Sequence, residues 1–494
     1  MMTQLHTLAL YLLAVQAVLG ALDTIYHHEF SEALPSRYSA RLELGIHSLR
    51  ACLYAPLFIG LALWHWQGWW AILLMLIFAI EIGLTLWDFV TEDQTRLLPA
   101  TERVMHTVLA MNGGAIVCLL SLCASSWWQL NTALVANQLN YLHGFLIAAG
   151  LGVGLSGARD ALAAFHLFHT KQESIMVTHS AWQTLGQSPR QFLITGGTGF
   201  VGQALISRLL AQGHRIIVWS RDAKKAAWLF DGKVVCVSQL NEIPASTQID
   251  AVINLAGARI LGLPWTMQRQ QVLKRSRIEL SARLIDFLAE RQLKPQHFIQ
   301  ASAIGYYGIQ ALGDDSQLDE SSPAQPIFMS ELCQQWERQA ARAAELGCDL
   351  YRLRFGLVLG KGGAWPMMSL PFKLGLGGKL GSGQQWYSWI HLHDLLNIIA
   401  LALSQTAVPG RNQVWNCCAP GALKQIEFAR VCGQVLQRPV RLPTPGWPMR
   451  LCLGQQSDLL LEGQRVYPRA LLEQGFVFTY PELTGAIAQI EGKD

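Results

Sequence analysis

Lysine is missing from the first 170 of the 494 residues, and charge of either sign is scarce there, with six Arg and ten Asp or Glu. Over the whole chain 15% of residues are charged and 51% hydrophobic, where a soluble domain carries about 25% charge. Such a chain has ample apolar surface to bury, which excludes intrinsic disorder. Basic runs are absent too. The longest is Lys224-Lys225, and a net charge of +4 leaves no electrostatic footprint for nucleic acid. The ten cysteines form no Cys-x-x-Cys pair and no regular spacing, so neither a disulfide framework nor a zinc site is indicated, and a reducing compartment suits the polar part. The vicinal Cys417-Cys418 reads as buried strand thiols in preference to a redox pair.

The scarcity is local. Residues 1–170 carry a net charge of −4 and residues 171–494 a net of +8. Five apolar stretches in the first part, 5–22, 46–65, 69–89, 104–123 and 142–158, meet the bilayer's requirement of about 20 residues per helix. Trp64, Trp66, Trp69 and Trp70 crowd the short turn 66–68, as interfacial aromatics do. The fifth stretch is rich in glycine (144, 150, 152, 154 and 157), which suits close helix contact in lipid. Arg37 and Arg41 fall in the loop 23–45, Arg96 and Arg103 in the loop 90–103, while the N-terminus, the turn 66–68 and the loop 124–141 hold no Lys or Arg. Cationic loops stay on the cytoplasmic side, so five spans place the N-terminus outside and residues 159–494 inside. A cleaved signal peptide over 1–22 would need a basic n-region, which this chain does not have.

Ionisable residues inside spans are expensive, which singles out His47, Arg50, Glu81, Asp88 and His106. Arg50 and Glu81 either pair to hold helices together or serve a proton, quinone or substrate. In size, hydropathy and scattered polar residues this part resembles the small DoxX-like membrane domains.

After a linker at 171–190, the chain changes character. A short apolar strand, 192–194, runs into Thr195-Gly196-Gly197-Thr198-Gly199-Phe200-Val201-Gly202. Glycines at 196, 199 and 202 permit a tight turn, a close approach of backbone to a pyrophosphate, and tight packing of the following helix, 200–212. That helix points its N-terminus at the phosphates. The second strand, 215–219, ends in Trp219-Ser220-Arg221 where an NAD site would carry an acidic residue. Arg221, with Lys224 or Lys225, suits the 2′-phosphate of NADP, and Asp222 keeps NAD open. Strands at 234–237, 251–254, 297–301 and 350–353 alternate with helices at 266–290 and 329–346, the pattern of a doubly wound parallel α/β sheet.

The stretches Ile194 to Gly199, Val252-Ile253-Asn254-Leu255-Ala256-Gly257, Ser276-Arg277, Ser302-Ala303-Ile304-Gly305-Tyr306-Tyr307-Gly308, Trp336-Glu337, Leu353-Arg354, Trp389-Ile390-His391, Asp394 and Gly463-Gln464-Arg465 resemble an extended short-chain dehydrogenase/reductase. The subgroup is epimerase-like and ends in a small C-terminal domain of unknown function. The resemblance implies a Rossmann domain over 191–435 and a small domain over 436–494. It also implies a nicotinamide cofactor with Asn254, Leu255, Ala256 and Gly257 lining its adenine and ribose side, and the glycine-rich run 375–383 as a substrate-side loop. Enzymes of the wider superfamily use a Ser, a Tyr and a Lys four residues after the Tyr, because a phenol needs a neighbouring cation to act at neutral pH. None of the eleven tyrosines here has a Lys four residues on. Ser302 matches the family's Ser, while Ile327 and Glu331 stand where Tyr and Lys would fall.

The expectation is therefore a multi-domain protein, an N-terminal transmembrane α-helical bundle in the inner membrane followed by a cytoplasmic α/β Rossmann domain. Its function is NADP-dependent oxidoreductase or epimerase chemistry on a small or lipid-like substrate. Tyr306, Tyr307 or Glu331 would handle the proton beside Ser302. The rival is a non-catalytic NADP-binding sensor. His391 and His393, two apart, lack the further ligands of a metal site.

Overall fold

The computed structural model describes residues 2–24, 41–95, 100–169, 180–262 and 264–493, and the chain forms two compact units, 1–175 and 176–494. Arg37, Arg96 and residues 171–179 of the expected linker lie outside the described residues.

In the first unit α1 (Met2–Asp23), α2 (Arg41–Leu63), α3 (Trp69–Thr95), α4 (Ala100–Trp127) and α5 (Tyr141–His169) are each long and apolar enough to cross a membrane. All begin or end beyond the expected spans at the end of the bundle where charged side chains close the helices, whereas α2 stops at Leu63, two residues short of its expected end. The expected turn at 66–68 is instead the end of a strand, β1 (Trp64–Gln67), which pairs antiparallel with β2 (Ala133–Ala136) from the loop expected at 124–141. Glycines on α5 do what their composition suggests. A Cβ on Gly157 would stand 2.3 Å from Ala51 Cβ, and one on Gly150 would stand 3.0 Å from the Ala55 carbonyl oxygen, so α2 and α5 approach to backbone contact.

The second unit begins before its sheet. The expected linker holds α6 (Ser180–Leu185), whose Trp182 and Leu185 are fully buried and whose indole donates to Asn397 Oδ1 at 2.9 Å. Next come β3 (Gln191–Thr195), α7 (Phe200–Ala211), β4 (Arg215–Trp219), α8 (Ala223–Leu229), β5 (Val235–Val237) and β6 (Ala251–Asn254). They lead to α9 (Met267–Lys274), α10 (Leu280–Glu290), β7 (His297–Ala303), α11 (Phe328–Glu345) and β8 (Asp349–Phe355). A π-helical turn, Arg275–Glu279, joins α9 to α10. With β12 (Asn412–Cys417) the strands form a seven-stranded parallel sheet in the order β12-β8-β7-β6-β3-β4-β5. Strand alternation divides the core between its faces. Phe192 and Ile194 pack with Leu205, Ile206 and Leu209 of α7, while Leu193 packs with Leu284, Ile285 and Leu288 of α10. Each such fully buried side chain contributes roughly 1.5–3 kcal/mol.

A smaller lobe collects β9 (Leu357–Leu359), α12 (Trp365–Lys373), β10 (Trp386–Tyr387), β11 (Trp389–His391), β13 (Leu423–Lys424) and α14 (Gln425–Leu436). It closes with α18 (Leu483–Glu491), after α13 (Leu392–Ser404) and the short α15 (Gly446–Leu453), α16 (Asp458–Leu461) and α17 (Arg469–Glu473). Residues 436–494 own no separate core: α18 packs in the lobe, whereas Leu471, Phe476 and Phe478 join the sheet's α7 side. The glycine-rich run is likewise held, since Gly381 N donates to Thr444 O and a Cβ on Gly378 would collide with the Leu442 carbonyl.

Candidate functional site

The order of the seven strands puts the topological switch between β3 and β6, the place where open α/β sheets bind ligands at the strands' carboxyl ends. Gly196 sits there at φ +68°, and a Cβ on it would lie 2.6 Å from the Leu255 carbonyl oxygen at the end of β6. A Cβ on Gly202 would stand 2.3 Å from Gly196 O, so the first turn of α7 is wedged against the loop. Gly199 is the N-cap of α7 and no side chain caps it. The first amides of the helix, at Phe200 and Val201, therefore point into a cradle that a pyrophosphate fits. Gly197 lies over Val218 and Ile206, and Thr198 O accepts from Gln203 Nε2 at 2.7 Å, which fixes the loop. The Phe200 ring is walled in by Gly360, Gly362 and Gly363 beyond β9, where any Cβ would meet it within 3 Å.

At the end of β4, Ser220 N bonds Val237 O and Arg221 is exposed. Asp222, the residue that kept NAD open, caps α8 by accepting from Lys225 N at 2.9 Å. Asn254 is fully buried rather than ligand-lining. Its Oδ1 accepts from Thr195 Oγ1 at 2.5 Å, and its Nδ2 donates to Ser281 Oγ and Gln300 Oε1, locking β3, β6 and β7 together. Leu255, Ala256 and Gly257 continue past it toward the opening. Arg277, in the π-helical turn, is within 3.0 Å of where a Cβ on Gly257 would be, and it donates to Ala258 O. The π-turn rotates this side chain toward the carboxyl end of β6, a position that helical periodicity alone does not disclose.

The structure separates the four acid/base candidates. Ser302 lies on the face of β7 that meets α11, 3% exposed, and its hydroxyl donates to Glu337 Oε1 at 2.7 Å. Glu337 is gripped by Arg354 through Nε at 2.9 Å and Nη2 at 3.0 Å, and Arg352 adds a third bond at 3.1 Å. Tyr307 is 1% exposed; it donates to Asn416 Oδ1 and accepts from Arg354 Nη1, and burial pushes its phenol pKa up. Tyr306 is half-buried, with the Arg354 guanidinium 3.4 Å from its ring centroid. Glu331 is exposed on the first turn of α11, and its neighbour Ile327 packs in an apolar cluster with Trp265, Ile260, Phe328 and Leu459. Ser302 and Tyr307 thus share one buried network through Arg354, while Glu331 stands outside it. Glu337 and Arg354 were visible in the sequence only as matched dipeptides; their carboxylate–guanidinium grip gives both a role.

His391 caps α13, accepting from His393 N, and its Nε2 faces Gln489 Oε1 at 3.0 Å. Asp394 accepts from the amides of Thr479 and Tyr480, tying α13 to the chain that leads into α18. Cys417 and Cys418 are free and buried, and burial raises both thiol pKa values.

Two family models match the second unit: the NAD dependent epimerase/dehydratase family over residues 192–418, and a domain of unknown function over 444–490. Epimerase family protein YfhF of Bacillus subtilis is 34% identical over 305 residues, which is 60% of this chain and 96% of that protein. The chain belongs to the epimerase family. A chloroplastic family member of Arabidopsis thaliana is 36% identical over 304 residues, covering 60% of this chain and 85% of its own. The crystal structure of the human epimerase family protein SDR39U1 with NADPH superposes with a TM-score of 0.54 at 32% identity, over 62% of this chain and all of that one.

Proposed function

We propose that this epimerase family member is a membrane-tethered, NADP-dependent oxidoreductase acting on a small or lipid-like substrate. The observation that carries the cofactor is the carboxyl end of β3 and β4. A glycine cradle under the uncapped N-terminus of α7 lies beside an exposed Arg221, while the carboxylate that follows it, Asp222, is spent on capping α8. The NADPH in the human relative supports it. Bound there, the nicotinamide supplies hydride exchange. The chain's own residues bind and orient: α7 amides receive the pyrophosphate, and Arg221 with Lys224 receives the 2′-phosphate. Tyr306, beyond the end of β7, and Glu331, on the first turn of α11, are the proton-transfer candidates whose side chains make no hydrogen bond to the buried network, and Tyr306, stacked on Arg354, is the nearer to Ser302 in the chain. The apolar wall of Trp265, Ile327 and Phe328 beside α11 favours a lipid-like substrate.

The five apolar helices and the Arg-bearing loops support a cytoplasmic-membrane location with the N-terminus outside. Reporter fusions after residues 130 and 175 should report opposite sides; the same side for both sinks this topology.

Titration of the full chain in detergent should show NADPH binding at least tenfold tighter than NADH, about 1.4 kcal/mol. Slow oxidation of bound NADPH by carbonyl or quinone acceptors should follow. No binding of either nucleotide refutes the proposal. A second reading, an NADP-responsive module without turnover, is favoured by the commitment of Ser302 and Tyr307 to the Glu337–Arg354 network. Tight binding with no turnover by any acceptor selects it.

A further inference from the structure

The charged residues that end the apolar helices gather in one place. Glu43 and His47 are one helical turn apart near the start of α2, and Glu102 and His106 repeat that spacing near the start of α4. Between them, near the end of α3, stands Glu92. The side chains form two triads that share Glu92: Glu43, His47 and Glu92, and Glu92, Glu102 and His106. In each triad one ligand atom from every residue lies within 4.8 Å of the others. Glu43, Glu92 and Glu102 are fully buried.

A residue four positions on from another projects from the same helix face, so each Glu-x-x-x-His turn presents a carboxylate and an imidazole to one point. Helix bundles build paired-metal sites from inward-facing carboxylates and Glu/His pairs spaced three apart on neighbouring helices; here the pairs are spaced four apart, on α2 and α4, and both helices pack against α3, which carries Glu92. The His106 geometry indicates a cation in particular. Its Nε2 is 3.2 Å from Asp23 Oδ2, at the end of α1, and its Nδ1 is 3.3 Å from Glu92 Oε2. Among the described residues Nδ1, which is buried, has no partner that meets hydrogen-bond geometry, so the short approach to Glu92 is not an aligned N–H···O bond. Two donor atoms about 2.0–2.2 Å from one ion lie roughly 3–3.4 Å apart, the separation seen here. Asp23 on the opposite ring nitrogen is then the outer carboxylate that fixes the tautomer of a ligating histidine. On the other side, His47 Nε2 lies 3.2 Å from Asp88 Oδ2 and 4.0 Å from Glu92 Oε1, so one ring nitrogen faces both carboxylates, and Asp88 is held by Arg50 Nη1 at 2.7 Å. Arg50 also reaches Glu81 at 3.3 Å, the pairing that was one of the two alternatives for these residues, and its bond to Asp88 adds a partner the sequence did not indicate.

We propose that the helical unit holds two first-row transition-metal dications bridged by Glu92, one on Glu43 and His47 and the other on Glu102 and His106. Imidazole and carboxylate donors without thiolate select iron, manganese or zinc over magnesium or calcium. The proposal is independent of the cofactor reading above.

The test is metal analysis of the full chain in detergent, stripped with chelator and reloaded in turn with Fe(II) under anaerobic conditions, Mn(II) and Zn(II). About two tightly held equivalents per chain of at least one of the three are expected. Glu43→Gln and Glu102→Gln should each retain about one equivalent, and Glu92→Gln close to none. Retained monodispersity and an unchanged far-ultraviolet helical signal in detergent would show that a variant has folded. Electron paramagnetic resonance of the Mn(II)-loaded wild type supplies a readout that needs no variant, since a pair bridged by one carboxylate gives an exchange-coupled spectrum. One ion per chain, no bound ion, an uncoupled spectrum, or folded variants that carry the wild-type load would each overturn the assignment.

Discussion

The Ser302 hydroxyl and the Glu337 carboxylate are joined at 2.7 Å on the α11 side of the sheet, away from the switch point between β3 and β6. Removing the hydroxyl should act on stability first. Ser302→Ala is expected to cost about 1.5–3 kcal/mol, the worth of a hydrogen bond to a charged group. Glu337→Gln is expected to cost about 3–5 kcal/mol, because it leaves Arg354, 3% exposed, without its anion. Denaturant unfolding followed by tryptophan fluorescence measures both, and NADPH affinity should stay within about twofold of wild type. Unchanged stability with lost turnover in Ser302→Ala would instead place its hydroxyl against substrate.

The glycine cradle gives a steric prediction. In Gly202→Ala the new methyl falls 2.3 Å from Gly196 O and 2.8 Å from Gly197 Cα, so the loop must shift. NADPH binding should weaken by more than about tenfold, or 1.4 kcal/mol. Gly485→Ala, on α18 with nothing within 4 Å of its Cβ, is the control and should leave binding intact while raising stability by about 0.5–1 kcal/mol. Equal nucleotide affinity in the two variants would contradict the assigned cradle.

Arg221→Ala separates the two nucleotides. Losing charge-assisted bonds to a 2′-phosphate, worth about 1.5–3 kcal/mol, should weaken NADPH about tenfold or more and leave NADH unchanged. Parallel losses for both would mean that Arg221 serves the shared pyrophosphate.

Burial, with His393 beside it, pulls His391 down from 6.5 to about 4. The folded unit holds this ring neutral, and the unfolded chain protonates it below about pH 6.5. Stability from this group is complete above pH 6.5 and is lost as pH falls toward 4, a difference of up to about 3 kcal/mol. His391→Asn keeps a capping acceptor for α13 and should flatten that part of the stability profile between pH 6.5 and 4. Parallel wild-type and variant profiles would show that other groups set the acid limb.

The sheet could be read before it was seen because Phe192 to Ile194 and the glycines that follow obey rules of short range: apolar strand, tight turn, helix. Ser302 could not be placed so directly. Alternation along β7 gives its side chain one of two faces, and only the packing of α11 shows that this face is the one holding Glu337. Sequence periodicity also underestimated the bundle. Apolar windows stop at charges, so Asp23, Glu43, Glu92 and Glu102 fell into expected loops when the helices in fact run through them. The two Glu-x-x-x-His spacings were the available signal. At α6, the six residues Ser180–Leu185 ahead of Gly186 carry too little pattern for a helix to declare itself; Trp182 and Leu185 reveal it only by what they fill.

Trp182 also decides where this protein can be cut. Its indole sits wholly inside the second unit, bonded to Asn397, although it precedes the first strand by nine residues. A protease acting between 175 and 180 would release a body with its core complete. A cut after 186 would leave a hole the size of a tryptophan beneath α13 and a stranded amide at Asn397, a loss of about 3–5 kcal/mol. The smallest piece that keeps the sheet's stability therefore begins no later than Ser180, and a fragment starting there should withstand more denaturant than one starting at 187.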